Sequence, residues 1–281
     1  MAAAASGGEA VLVGSYTWTS DARRFGGFSG LELSPDGARL VAISDRSAYV
    51  EADITRKDGR ITSVTLTRLN GLRAADGGPY AGDTEGLAVD GDRFFVSLEG
   101  PAQVWAYSAP QSAVALTRAP GFGGLQGNSG LEALAIDTRG RLLTLPERSG
   151  AITTPFPVWR LDEAGWSQPF AIPRRGGFLP VGADVGPDGR FYLLEREFTG
   201  YSFVSRVRRF DMSEDALTGE TELFRSAIFQ HDNLEGISVW RDAASDIRLT
   251  MISDNNFIGL QKTELVEYRV PESLDLQGER P

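Results

Sequence analysis

The chain has 281 residues, of which 41% are hydrophobic and 23% charged, and its formal net charge is -10 at pH 7. This composition is that of a globular protein with a core, and it excludes a disordered or low-complexity chain. The absence of cysteine excludes disulfides and zinc–thiolate sites, and the single histidine, His231, excludes a histidine-rich metal site. The acidic balance argues against nucleic acid as a partner, because nonspecific binding depends on neutralising phosphates.

The two ends of the chain are expected to be flexible, at residues 1–9 and 272–281, with a single domain over 10–271. The first residues, MAAAASGGEA, lack the basic start and apolar stretch of an intact signal peptide. They are compatible with the remnant of an export signal, which predicts a periplasmic or secreted protein, and equally with a plain flexible start. No apolar run approaches the roughly 18 residues of a membrane span. We expect a monomer.

Five segments repeat one pattern along the chain, an apolar run, a Gly/Asp turn, an arginine, a second apolar run and an acidic residue. They are 30–46, 86–100, 133–148, 182–196 and 236–255. The arginines that follow the turns are 54, 48, 49 and 58 residues apart, at Arg39, Arg93, Arg141, Arg190 and Arg248. Each segment is typical of a β-hairpin.

Further strands are predicted between the hairpins, at Ile61–Arg68, Val104–Tyr107, Val204–Phe210 and Glu264–Val270. Four short strands in a repeat of about 50 residues predict an all-β fold, a β-propeller. The residues left over hold one more blade spacing and a loose end, so we predict five blades, and six would need a compact, degenerate copy. The N-terminal strand Ala10–Trp18 is predicted to close the ring by pairing with Thr263–Val270.

Acidic residues recur at two positions of the repeat. The sixth residue after the turn arginine is Asp45, Glu99, Glu147 or Asp254, and a one-residue shortening in the fourth copy would bring Glu195 to the matching place. The residue before the Gly or Ala of the first strand is Ser29, Glu85, Glu132, Val181 or Glu235. Both positions lie at the same end of the hairpin. Since the inner hairpins of a propeller surround one channel, the sequence predicts an acidic channel mouth.

Carboxylates gathered in one funnel raise one another's pKa unless positive charge compensates. Arginines follow three of the acids, at Arg46, Arg148 and Arg196, so a rigid ring of ion pairs without activity is one interpretation. A hard divalent cation is the other, because a ligand set made only of oxygen suits calcium, with magnesium as the alternative. This second interpretation predicts metal ligands at Asp45, Glu85, Glu99, Glu132, Glu147, Glu195, Glu235 and Asp254.

The motifs at these positions resemble a known family. They include GGFSGLELSPDG (26–37), DTEGLAVDGDRFFVSLEG (83–100), NSGLEALAIDTRGRLLTLPER (128–148), GADVGPDGRFYLLERE (182–197) and NLEGISVW (233–240). From about Val11 to Val270 the chain resembles the phytase-like bacterial β-propellers described as having esterase-like activity of phytase. The resemblance implies a secreted or periplasmic protein that acts on phosphate or other esters. The better-understood alkaline β-propeller phytases hold calcium at an acidic channel mouth, but their ligands cannot be mapped one by one onto this chain.

We therefore predict a calcium-dependent ester hydrolase whose first substrate class is phosphate esters. Arg46, Arg148 and Arg196 would stabilise charge on the transferred group, and Glu235 or His231 would act as general base or acid. No G-x-S-x-G elbow is present, although a serine site that joins His231 to Ser29 or Ser129 stays open. A calcium-dependent lactonase of the gluconolactonase type and a non-catalytic propeller that binds a cation or a basic ligand also stay open.

Overall fold

The computed structural model describes residues 10–125, 130–258 and 261–271, so the two ends predicted to be flexible lie outside it. In these ranges twenty strands form five four-stranded antiparallel sheets. Strand β1 (Val11–Thr17) opens the chain and belongs to the last blade. The chain is all-β, as predicted, apart from one short 3-10 helix at Pro120–Gly124.

The blades follow one another along the chain, and each begins with the predicted hairpin. The first contains β2 (Phe28–Leu33), β3 (Arg39–Ser44), β4 (Ala48–Lys57) and β5 (Arg60–Gly71). The second contains β6 (Thr84–Asp90), β7 (Arg93–Leu98), β8 (Gln103–Ala109) and β9 (Ser112–Ala115). The third contains β10 (Leu131–Ile136), β11 (Leu142–Pro146), β12 (Phe156–Asp162) and β13 (Gly165–Ile172). The fourth contains β14 (Leu179–Val185), β15 (Phe191–Phe198), β16 (Phe203–Met212) and β17 (Leu217–Arg225). The fifth contains β18 (Asn233–Arg241), β19 (Ile247–Asp254) and β20 (Glu264–Val270), completed by β1.

The first strand of each blade contacts the first strands of both neighbouring blades, so β2, β6, β10, β14 and β18 surround the central channel. The ring closes where β1 pairs with β20, from Val11 opposite Arg269 to Thr17 opposite Glu264. The prediction of five blades and of this closure is confirmed, and the described residues form no sixth blade. None of the described helical residues forms a segment long and apolar enough to cross a membrane.

Glycine recurs in the inner strands because neighbouring strands approach closely there. A Cβ on Gly86 would lie 2.7 Å from the backbone nitrogen of Leu134 in the next blade, and a Cβ on Gly236 would lie 2.9 Å from that of Leu31. Such distances are shorter than real Cβ contacts, so only glycine fits. The repeated glycine of the inner strands is therefore explained by blade-to-blade packing.

Five hydrophobic cores lie between neighbouring blades, one for each pair. The core between the last and first blades contains Trp18, whose ring stacks on Phe28 with centroids 5.5 Å apart. The core between the fourth and fifth blades contains the stacked rings of Phe224 and Tyr268, 4.1 Å apart. Because each core needs two blades, the ring must close before all five exclude water.

Candidate active site

A β-bulge interrupts every inner hairpin near the start of its first strand. Regular pairing is lost between residues 28 and 30, 84 and 87, 131 and 133, 180 and 182, and 234 and 236. These bulges contain the second position of the repeat, which is Ser29, Glu85, Glu132, Val181 or Glu235. A bulged residue leaves the ladder, and its side chain is re-aimed. The bulges therefore explain how the acids of different blades come to face one space.

In the fourth blade the position predicted for Glu195 belongs to Arg196. Arg196 pairs with Leu179 and is the sixth residue after the turn arginine, so the predicted shortening does not occur. Glu195 is fully buried elsewhere, and its carboxylate binds the guanidinium groups of Arg206 and Arg208, each at 2.7 Å. The structure thus corrects the prediction that Glu195 is a metal ligand at the mouth, because strand β16 supplies the two arginines that neutralise it.

Glu85 and Glu132 are the most strongly perturbed carboxyl groups of the mouth. Burial raises the pKa of both well above the ordinary range, and neighbouring negative charges add to this effect. The added charges are those of Glu235 and Glu99 for Glu85. For Glu132 they include Glu147 and Glu235. The structure therefore brings together carboxylates from three blades, and they repel one another.

Two aspartates at the same end of the channel change protonation close to neutral pH. Burial raises the pKa of Asp45 to about 6, and the charge of Glu235 contributes. Burial raises the pKa of Asp254 to about 7, with contributions from Glu235 and Asp45. Within the described residues, Oδ1 of Asp45 is buried without a hydrogen-bond partner. Such pKa values are suited to general acid–base work.

Arg196 is the positive side chain that shares this space. Its Nη1 donates hydrogen bonds to Glu235 and to Oδ1 of Asn233, the latter at 2.6 Å. Asn233 in turn donates from Nδ2 to Oε1 of Glu235 at 2.7 Å. Burial opposes the charge of Arg196, but Glu235, Glu132 and Glu147 hold its pKa above the ordinary value. One guanidinium thus faces carboxylates from four blades.

Sequence reasoning missed Asp83 and Asn233. The charge of Asp83 raises the pKa of Asp45, Glu85 and Glu99. Asn233 connects Arg196 to the acids. Both residues stand two positions before the bulge, at a third position of the repeat that the hairpin register places opposite the rim acids. Counting back by two from each bulge would have found them, since alternate residues of a strand share a face.

The other two predicted arginines lie outside the carboxylate cluster. The guanidinium of Arg46 lies 3.6 Å from the ring centroid of Phe257, and the side chain is exposed. Arg148 is 49% exposed, and its Nε donates to Oε2 of Glu147 at 3.1 Å. Both therefore stand on the rim and are accessible to a ligand that approaches the mouth.

His231 is 9% exposed, and its Nε2 lies 2.8 Å from the hydroxyl of Tyr268, which belongs to a core. Burial lowers the pKa of His231 to about 4, so the imidazole is neutral at pH 7. The structure gives His231 a packing contact, and its catalytic role stays a prediction. Of the two serines considered with it, Ser29 is buried and donates to the carbonyl of Thr84 at 2.6 Å. Ser129 lies outside the described residues.

The chemistry of these side chains fits a hard cation, because every acidic donor is a carboxylate oxygen and the negative charge exceeds the positive. The buried, unpaired Oδ1 of Asp45 is one donor that a cation would satisfy. Their present positions do not form a finished site, since nowhere in the described ranges do three acidic or histidine side chains converge as metal ligands. Cation binding would therefore require the glutamates to turn inward.

Three solved structures illustrate the similarity of the fold. The endo-arabinase from Bacteroides thetaiotaomicron VPI-5482 is 13% identical with a TM-score of 0.54, over 87% of this chain and 93% of that chain. A protein of unknown function from Dyadobacter fermentans DSM 18053 is 10% identical with a TM-score of 0.46, over 85% and 74%. A chain of a nidogen/laminin complex is 11% identical with a TM-score of 0.44, over 80% and 74%. At these identities the likeness to the endo-arabinase shows the fold alone.

A comparison with curated proteins finds no match. The family described as "Phytase-like: Esterase-like activity of phytase" matches residues 23–257, a range that contains all five inner hairpins and every carboxylate of the mouth. The chain therefore belongs to this phytase-like family of β-propellers.

Proposed function

We propose that the protein hydrolyses ester bonds at the acidic mouth of its channel, with phosphate esters as the first substrate class. The family description supports an esterase-like activity. The observation that carries the proposal is the gathering of carboxylates from four blades around the single guanidinium of Arg196. Such a concentration of buried charge is costly for folding, so we infer that it is kept for chemistry.

We further propose that the mouth binds calcium, or magnesium in its place. The residues that would hold it are Asp45, Glu85, Glu99, Glu132, Glu147, Glu235 and Asp254. A bound cation would neutralise the excess charge, attract the ester oxygen and make an attacking water more acidic. Oxygen donors on different blades would let one ion fasten the inner hairpins together.

The side chains themselves supply two further functions. Arg196 donates from the interior of the mouth, where a guanidinium can stabilise negative charge that develops on the transferred group. The carboxyl groups of Asp45 and Asp254 have pKa values of about 6 and about 7, so each can take up or release a proton near neutral pH. Arg46 and Arg148 on the rim would guide an anionic substrate inward.

The test measures turnover of 4-nitrophenyl phosphate, 4-nitrophenyl acetate and a δ-lactone, first with excess chelator and then with calcium restored. We expect loss of turnover in chelator and recovery with calcium. Full activity in excess chelator would refute the metal, and hydrolysis of the lactone alone would identify a lactonase. Calcium-dependent thermal stabilisation without turnover of any ester would identify a binding propeller.

Matched variants separate the mouth from the rest of the surface. Glu85→Gln and Glu132→Gln remove mouth carboxylates, while Glu163→Gln removes an exposed one from a turn of the third blade. We expect weaker calcium binding by calorimetry in the first two variants and no change in the third. Unchanged calcium affinity in both mouth variants, with a looser fold, would support a salt-bridged scaffold instead. Export and the monomeric state stay predictions.

A further inference from the structure

A cavity of about 420 Å³ lies in the third blade. Its walls come from the 3-10 helix before the blade, the segment between β11 and β12, and β12 itself. The lining includes Gly124, Leu125, Arg148, Thr154, Pro157 and Trp159. This volume falls within the range of small-molecule sites. The cavity lies outside the carboxylate cluster and holds none of the mouth acids.

One ion pair joins the cavity to the mouth. Glu147 contributes its charge to the carboxylate cluster, where it raises the pKa of Glu132 and Glu99. The next residue, Arg148, donates to Glu147 at 3.1 Å and also lines the cavity. A ligand with its reacting group at the mouth would therefore reach the cavity directly past Arg148.

We propose, on the basis of the proposed function, that this cavity binds the alcohol part of the ester and selects a flat apolar ring. Trp159 forms a rigid wall, because it is 6% exposed and Phe122 packs edge-on against it with ring centroids 5.2 Å apart. A Cβ on Gly121 would lie 2.9 Å from Nε1 of Trp159, so glycine is needed for this packing. Rigid aromatic and proline surfaces bind rings at a small cost in conformational entropy.

Arg148 is the charged side chain among the described lining residues. Apart from its Nε bond to Glu147, it makes no hydrogen bond to the part of the chain that the structure describes. Its planar guanidinium can contact the face of an aromatic ring or donate to the ester oxygen between ring and mouth. This cation marks the boundary between the polar and apolar halves of the substrate.

The same lining disfavours a densely phosphorylated alcohol. Each additional phosphate would face either apolar walls or the mouth carboxylates, with Arg148 as the one cation of the cavity. A phosphate buried without a partner is costly, and carboxylates at close range repel it. The geometry thus favours simple esters of aryl alcohols over polyphosphorylated substrates.

The first test measures binding of 2-naphthol, the free alcohol of a naphthyl ester, by calorimetry and needs no turnover. Gly124→Phe and Thr154→Phe fill the cavity from two walls, and Gly123→Phe is the matched control. A Cβ at Gly123 or Gly124 meets no atom within 4 Å, so neither change strains the fold. We expect saturable binding to the wild type, about tenfold weaker binding in both filling variants and an unchanged affinity in the control.

The second test compares kcat/KM for naphthyl and ethyl esters of the same acid. The preference for the naphthyl ester should fall about tenfold in both filling variants, chiefly through KM, and stay unchanged in Gly123→Phe. Absent naphthol binding in the wild type, or equal binding in every variant, would overturn the subsite even where esters are hydrolysed. Naphthol binding that both filling variants lose, without hydrolysis of any ester, would support the subsite and refute the proposed function.

Discussion

Replacing Arg196 by methionine removes the guanidinium from the mouth and keeps a side chain of similar length. The change breaks the ion pair with Glu235 and the hydrogen bond to Asn233. The two charged side chains are only 21% and 13% exposed, so solvent screens the pair weakly. Removing one partner of a buried pair costs about 3–5 kcal/mol, and the remaining exposure places the expected loss at about 3 kcal/mol in the free energy of unfolding.

The assay is urea unfolding followed by tryptophan fluorescence, with chelator present, at pH 8 and at pH 5. The loss should be smaller at pH 5, because Asp254 and Asp45 are protonated there and fewer negative charges need Arg196. A loss of less than about 1 kcal/mol at pH 8, as surface pairs show, would refute the reasoning. An equal loss at both pH values would show that Arg196 acts through packing alone.

Two further variants complete this experiment. Arg93→Met removes an exposed partner of Asp90, in a pair whose side chains are 61% and 44% exposed, and should cost less than about 1 kcal/mol. In the double variant of Arg196→Met with Glu235→Gln, no unpaired charge is left at Glu235. We expect it to recover about 1–3 kcal/mol relative to the sum of the single changes.

Three other changes test the electrostatics. Arg196→Met should bind calcium more tightly than the wild type in calorimetry, since a positive charge has left the site, and weaker binding would contradict a cation site there. Glu195→Gln should lower the free energy of unfolding by about 3 kcal/mol, because Arg206 and Arg208 lose their counter-charge, yet leave calcium affinity unchanged; a parallel loss of calcium affinity would return this residue to the mouth. Glu32→Gln should make unfolding free energy less dependent on pH, because burial raises the pKa of Asp184 from 3.8 to about 7 and that of Glu32 well above its ordinary range. The folded wild type thus holds protons that the unfolded chain releases, and its stability falls between about pH 4 and 7 by at most about 4 kcal/mol per such group; equal slopes in urea titrations would contradict this.

Much of the fold could be predicted because a propeller writes its blade repeatedly along the chain. Strand alternation and turn residues are local signals, and five copies at similar spacing made each one readable. The same count located Glu85, Glu132 and Glu235 at one position, which the structure shows to be a bulge of the inner strand. The packing reason for the glycine after Glu85 was not readable, because its neighbour belongs to another blade.

The sequence by itself determined the five blades, the closure of the ring and the repeat positions that surround the mouth, because these depend on local preferences at fixed spacing. Only the tertiary structure decided which charges share the mouth. Glu195 and Arg196 are neighbours in the chain, but alternate residues of a strand point to opposite faces. Their environments differ because strand β16 places Arg206 and Arg208 beside one, and the next blade places Glu235 beside the other. Contacts between blades join residues far apart in sequence, so they became visible only once the ring was closed.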